Sequence, residues 1–247
     1  MRRKTLVTAI AVAGALAVAR RLVAPRRMPL LAHVQRLLAE GRGDEEAARL
    51  AGRAQRRYDD LYARRRPLPN RMLRLHLERS ILPALAVYQT LLEEGLGRQA
   101  AMTEIERLLA SAAGGLGRLM SLLGRLPGAF PVFRRVEPWV VRLGFPAEGW
   151  EMVPVEDNEE CVAFDVRRCF YLETLTSYGA PELTTVFCGG DDLVFPLLAP
   201  SITWKRTMTL GRGHDRCDFR WCRGVRQEAG TGETRSTIGS YAGWPAP

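Results

Sequence analysis

The chain has 247 residues, 47% hydrophobic and 26% charged, which allows one substantial core with extra segments and excludes a mainly disordered protein. The formal net charge of +9 is uneven: residues 1–74 carry 18 Lys and Arg against 6 Asp and Glu, so the basic excess is an N-terminal property. That region has only Tyr58 and Tyr62 as aromatics and shows no zinc-finger or RNA-recognition signature, which argues against nucleic acid as a partner.

In chain order, Thr5 to Ala19 is an apolar run between Arg2-Arg3-Lys4 and Arg20-Arg21. Its fifteen residues give roughly 22 Å of helix, short of the ~30 Å hydrocarbon core unless it extends to Ala24 with snorkelling arginines. Residues 1–24 therefore read as a membrane anchor, with a cleaved signal or a soluble helix as alternatives. The arginines after the run favour retention on the cytoplasmic side.

Residues 25–126 have helical periodicity. Leu30, Leu31, Val34, Leu37 and Leu38 form one stripe, Asp44 caps a second helix reaching about Arg65, and Asn70 caps a third. Pro83 inside that third pattern predicts a kink or a junction of two helices. Ala101 to about Leu123 reads as one more helix, weakened by Gly114-Gly115 and Gly117. Residues 127–149, with Pro127, Pro131, Pro138 and Pro146, read as a surface connector.

From residue 150 the pattern becomes mixed. Trp150–Val155 and Val162–Val166 alternate as strands, and Arg167–Tyr178 reads as a helix. Pro181 opens another helix. Ile202–Leu210 and Cys217–Trp221 read as strands flanking a Gly-rich hairpin turn. The fold class is α+β: an N-terminal helical region packed with a C-terminal antiparallel sheet and helices, with the catalytic region at 150–225 and a flexible tail at 226–247.

Five cysteines without paired spacing argue against a disulfide framework and for reduced thiols in a cytoplasmic-type compartment. In particular, neither Cys161 nor Cys222 has an evident partner. Cys169, Cys188, His214 and Cys217 lack the close paired spacing of a zinc site, so neither a metal nor another cofactor is expected.

Three sets of residues carry candidate chemistry. On a helix starting at Pro181, Thr184, Cys188 and Asp191 share one face, a thiol with a carboxylate one turn away. Strand alternation puts Cys217, Phe219 and Trp221 on one face and Asp218, Arg220 and Cys222 on the other; Asp218, beside the turn, is the better catalytic candidate of that segment. Gly211-Arg212-Gly213-His214 offers backbone N–H groups and an imidazole to an anion, although a turn needs such glycines anyway. Arg167 and Arg168 have the geometry to clamp a carboxylate, or to solvate a helix start. His76, between leucines, reads as a packed structural histidine or as a ligand contact.

The ordered set Asn158-Glu159, Phe164-Asp165-Val166-Arg167-Arg168-Cys169-Phe170-Tyr171, Pro181-Glu182-Leu183, Phe187-Cys188-Gly189-Gly190-Asp191 and Trp204…Thr207…Leu210-Gly211…Cys217-Asp218-Phe219 resembles the L-2-amino-thiazoline-4-carboxylic acid hydrolase family. A looser echo lies upstream at His76 and Ile81-Leu82-Pro83-Ala84-Leu85-Ala86-Val87-Tyr88. The resemblance implies a small-molecule substrate and hydrolysis of a cyclic isothiourea to a carbamoyl cysteine. Cys188 with Asp191, His214, Cys217 and Asp218 are then the catalytic candidates, and Arg167, Arg168, His76, Gly211 and Gly213 the substrate-binding ones. The rival reading is a small-molecule-binding or sensory module resembling vinyl-reductase accessory domains. The sequence leaves the oligomeric state open.

Overall fold

The computed structural model describes residues 27–224. The expectations for residues 1–24 and for the tail lie outside the described residues. Among the described residues no helix is long and apolar enough to cross a membrane.

The helical half contains α1 (Leu31–Arg42), α2 (Asp44–Ala63), α3 (Arg71–His76), α4 (Leu82–Glu93), α5 (Arg98–Ala112) and α6 (Gly114–Gly124). Helix α2 lies between α1 and α4, burying Leu50, Ala54 and Tyr58 in the main core, where α4 contributes Leu85, Tyr88 and Leu91. On its outer side Arg49, Arg53 and Arg57 recur at one-turn spacing and pair with Glu93 and Glu94 at the end of α4, Arg49 in bidentate fashion at 2.8 and 2.7 Å.

Asn70 caps α3 as expected, its side chain accepting from the N–H groups of Met72 and Leu73. Pro83 lies in the first turn of α4 and cannot donate to the Arg79 carbonyl. The chain accommodates it with a π-helical turn, Leu77–Ile81, between α3 and α4. The second helix begins at Asp44 itself with Gly43 as its cap residue, so Asp44 contributes first-turn charge instead of a cap.

The stretch expected to be a connector is instead helix α7 (Ala129–Gly144). Pro131 falls in its first turn, where no N–H is needed, and Pro138 is tolerated inside it. Helix α6 ends at Gly124, where an added Cβ would lie 2.5 Å from the Leu198 backbone. Glycine is what lets α6 approach the turn at residues 195–198 so closely.

The sheet has four strands, β1 (Trp150–Asp157), β2 (Cys161–Cys169), β3 (Ile202–Lys205) and β4 (Cys217–Arg223), in the order β1-β2-β4-β3 and antiparallel throughout. Pro154 sits on the edge strand β1 beside a register shift, where a missing ladder donor costs least. Strand β2 runs through Arg167 and Arg168, so the expected helix over 167–178 is shortened to α8 (Phe170–Ser177). Helix α9 (Leu183–Val194) starts two residues after Pro181. Strand β3 stops at Lys205, and an eleven-residue loop containing one 3-10 turn replaces the expected tight hairpin.

One cysteine expectation is overturned. Cys161 and Cys222 stand opposite each other in the β2–β4 register and are joined as a disulfide. Their separation of 61 residues leaves no local spacing signal, and only the strand register brings them together. Cys169, Cys188 and Cys217 are free thiols.

Candidate functional site

The face of the sheet bearing Phe164, Val166, Cys217, Phe219 and Trp221 lines a cavity of about 630 Å³. Helix α9 forms one wall with Thr184, Phe187, Cys188 and Asp191, a stripe that follows helical spacing. Helix α7 closes the opposite side with Val132, Phe133, Val136, Glu137 and Val140. A second cavity of about 420 Å³, between α1, α4, α5 and α9, adjoins the first across Tyr171, Phe187, Asp191 and Phe195.

The walls are mostly apolar, and apart from Glu137 on α7 the charged groups gather at one place. The Arg206 side chain is 1% exposed and reaches both Asp191 and Asp192 at 2.8 Å. It also donates to the Cys188 carbonyl at 2.7 Å, tying the loop after β3 to α9. Burial pushes the Asp191 carboxyl up to about 6, against the opposing pull of Arg206. Asp191 keeps 39% of its side-chain surface accessible, yet it borders both cavities, and surrounding protein still governs its titration.

The three free thiols line the same cavity. Burial, then the neighbouring Cys217, pushes Cys188 up to about 12. Cys217 is pushed up to about 11, again mainly by burial, although the Leu210 N–H donates to its sulfur at 3.2 Å. Burial raises Cys169 as well. At neutral pH all three are thiols, not thiolates. Gly211 packs behind Cys188, where an added Cβ would come within 3.2 Å of the sulfur.

Glu137 is 8% exposed, and its Oε1 has no hydrogen-bond partner among the described residues. Burial, then the charge of Asp157, pushes its carboxyl up to about 7. Arg134, one turn earlier, is engaged with Asp157 at 2.5 Å.

His76 forms the end of the cavity near α8. Its Nε2 lies 2.7 Å from the Gly144 carbonyl and its Nδ1 2.9 Å from the Tyr171 hydroxyl. A carbonyl only accepts, so Nε2 carries the proton and Nδ1 accepts from Tyr171. Burial lowers the His76 pKa and keeps the ring neutral, packed among Phe145, Trp150 and Tyr171.

The structure thus brings Cys188, Asp191, Cys217 and His76 to the cavity, with Gly211 just behind it. It does not bring the others. Asp218 lies on the opposite face of β4, accepting from the N–H groups of Thr207 and Met208 at 2.9 and 2.5 Å and from the Thr207 hydroxyl at 2.7 Å. It is a clamp on the 206–216 loop, and its pKa is lowered because the hydrogen bonds that stabilise its charge outweigh burial. His214 is exposed and bonds back to Thr209. Gly213 supplies a left-handed turn residue in the same loop, at φ 86°. Arg168 donates to the carbonyls of Ala147 and Glu148, and Arg167 is exposed.

Two cavity residues that sequence reasoning missed are Arg206 and Glu137. Arg206 falls two residues after Trp204, in step with the alternation, which was an available signal. Glu137 is the sole acid between Glu106 and Glu148, a signal hidden once that stretch was read as a connector. Among the described residues no three His, Cys, Asp or Glu side chains cluster as metal ligands.

No curated protein and no solved structure matches the chain. The family model of L-2-amino-thiazoline-4-carboxylic acid hydrolase matches residues 74–221, which spans the π turn, α4, the whole cavity and nearly all of the sheet. The chain belongs to the L-2-amino-thiazoline-4-carboxylic acid hydrolase family.

Proposed function

We propose that the protein hydrolyses a cyclic amidine or isothiourea of the 2-amino-thiazoline-4-carboxylate type in the larger cavity. The observation that carries this reading is Asp191, a carboxyl pushed up to about 6 and held by Arg206 beside Cys188. A base with a pKa near the working pH is both largely ionised and able to take a proton, which suits general-base catalysis. A thiol at about 12 is a poor nucleophile at neutral pH, since only the thiolate attacks.

In this reading Asp191 takes a proton from water as the water oxygen bonds to the amidine carbon. The tetrahedral adduct then collapses. Breaking the ring C–N bond frees the amine of an S-carbamoyl cysteine, and the departing nitrogen receives the proton from Asp191. Breaking the ring C–S bond would instead leave an N-carbamoyl cysteine and a free thiol. Arg206 positions Asp191, and because it is shared with Asp192 the ionised trio keeps one net negative charge, which suits the cationic amidine head of the substrate near the base. Cys188 and Cys217 contribute shape and weak S–H donors.

The test is incubation of the full chain with 2-amino-thiazoline-4-carboxylate, following substrate loss and assaying new thiol and new amine separately. Loss of substrate with one of the two products supports the reading. Intact substrate at saturating enzyme overturns it. The predominance of apolar wall favours a second reading, a small-molecule-binding module, which predicts binding without turnover.

A further inference from the structure

The size and polarity of the cavity bear on which member of that substrate class it takes. Apart from Glu137 on α7, its charged groups are Asp191 and Arg206, beside Cys188 and Phe219, with the Arg206 guanidinium 5.2 Å from the Phe219 ring centroid. Beyond Phe219 the lining is apolar, through Met120, Leu126, Phe133, Leu198, Ile202 and Trp221. The strand register orders these parts along β4. Cys217 and Phe219 flank the charged end, and Trp221 lies two residues further, about 7 Å past Phe219 and about 13 Å past Cys217.

A bare amino-thiazoline ring with its carboxylate would occupy the charged end and leave the apolar lobe unused. The cavity of about 630 Å³ lies within the ~300–1,000 Å³ range that encloses drug-sized ligands. Glu137 faces the cavity from α7 and is the only acidic side chain on that helix. Apart from that one carboxyl, the lobe presents aliphatic and aromatic walls, which an apolar substituent matches.

We infer that the preferred substrate is amphipathic: an amidine or isothiourea head at Asp191 and Arg206, carrying an apolar substituent that runs past Phe219 into the lobe beneath Trp221. This rests on the hydrolase reading above and narrows its substrate. The lobe acts as a length gauge, and α7 forms its outer wall.

S-methyl-, S-butyl- and S-octylisothiouronium present the same amidine head with graded tails, and their binding to the full chain is measurable by calorimetry. At ~0.8 kcal/mol per buried methylene, each added methylene tightens binding about fourfold until the lobe is full. Ala129→Phe, which narrows the lobe at the start of α7, is expected to weaken the octyl compound at least tenfold and to leave the methyl compound within about threefold. Should Ala129→Phe fail to melt cooperatively, Val132→Phe carries the test, because Val132 is 64% exposed and tolerates replacement.

Affinity that is flat within about threefold from methyl to octyl overturns the inference, as does a tail effect unchanged by both variants. Turnover of 2-amino-thiazoline-4-carboxylate is measured in parallel. Turnover with a flat series leaves the hydrolase reading standing and removes the tail. A steep series with no hydrolysis of any amidine keeps the tail lobe and removes the hydrolase reading.

Discussion

Glu137→Gln should stabilise the protein above neutral pH and leave it unchanged in acid. The carboxyl is pushed from its ordinary 4.5 up to about 7 by burial, with Asp157 adding like charge. Its folded value is raised, so the native state holds the proton more tightly than the unfolded chain, and stability falls as pH rises between about 4.5 and 7. At ~1.4 kcal/mol per pKa unit, the ionised side chain costs on the order of 3 kcal/mol at pH 8. Glutamine has nearly the same shape and no charge to desolvate. For a chain of this size 1 kcal/mol corresponds to ~2–4 °C, so Glu137→Gln should raise Tm by roughly 6–12 °C at pH 8 and by less than about 2 °C at pH 4.5. Thermal melts of both proteins at the two pH values make the comparison. An equal change at both, or destabilisation at pH 8, would refute the idea that an uncompensated buried carboxyl sits under α7.

Asp191→Asn should lower kcat and kcat/KM together by about 10²–10⁴-fold, while Cys188→Ser keeps at least about a tenth of wild-type kcat; steady-state rates with matched melting curves distinguish the two. Arg206→Gln removes the cation that opposes the upward pull on Asp191, so the acid limb of the pH–rate profile should move above 6. Cys161→Ser combined with Cys222→Ser opens a closed loop spanning 61 residues and should cost about 3–4 kcal/mol in urea unfolding, yet leave kcat within about twofold. A larger loss of kcat would tie the disulfide to the site.

Much of this architecture was readable where the signal is local. The stripe of Thr184, Cys188 and Asp191 depends only on helical spacing, and all three residues do line the cavity. The alternation of Cys217, Phe219 and Trp221 was equally local, and it already placed Asp218 on the other face; its catalytic candidacy rested on its place beside the turn, and its hydrogen bonds show a loop clamp. The Asn70 cap and the junction at Pro83 follow from single residues whose backbone chemistry has few outlets.

What escaped was non-local or concealed by a strong punctuator. Cys161 meets Cys222, and Arg206 meets Asp191, only through strand register and the path of a loop. Helix α7 was hidden by Pro131 and Pro138, residues that usually end helices but here occupy a first turn and one tolerated interior position. With α7 went Glu137 and one wall of the cavity.

The proposed role of Asp191 as the group that activates water is tested most directly by the pH dependence of kcat/KM for 2-amino-thiazoline-4-carboxylate. A carboxyl at about 6 must lose its proton to act, so the rate should rise with pH, reach half its plateau near pH 6, and lose that limb in Asp191→Asn. A profile unchanged by Asp191→Asn, or one rising only in the range where a thiol ionises, would contradict it.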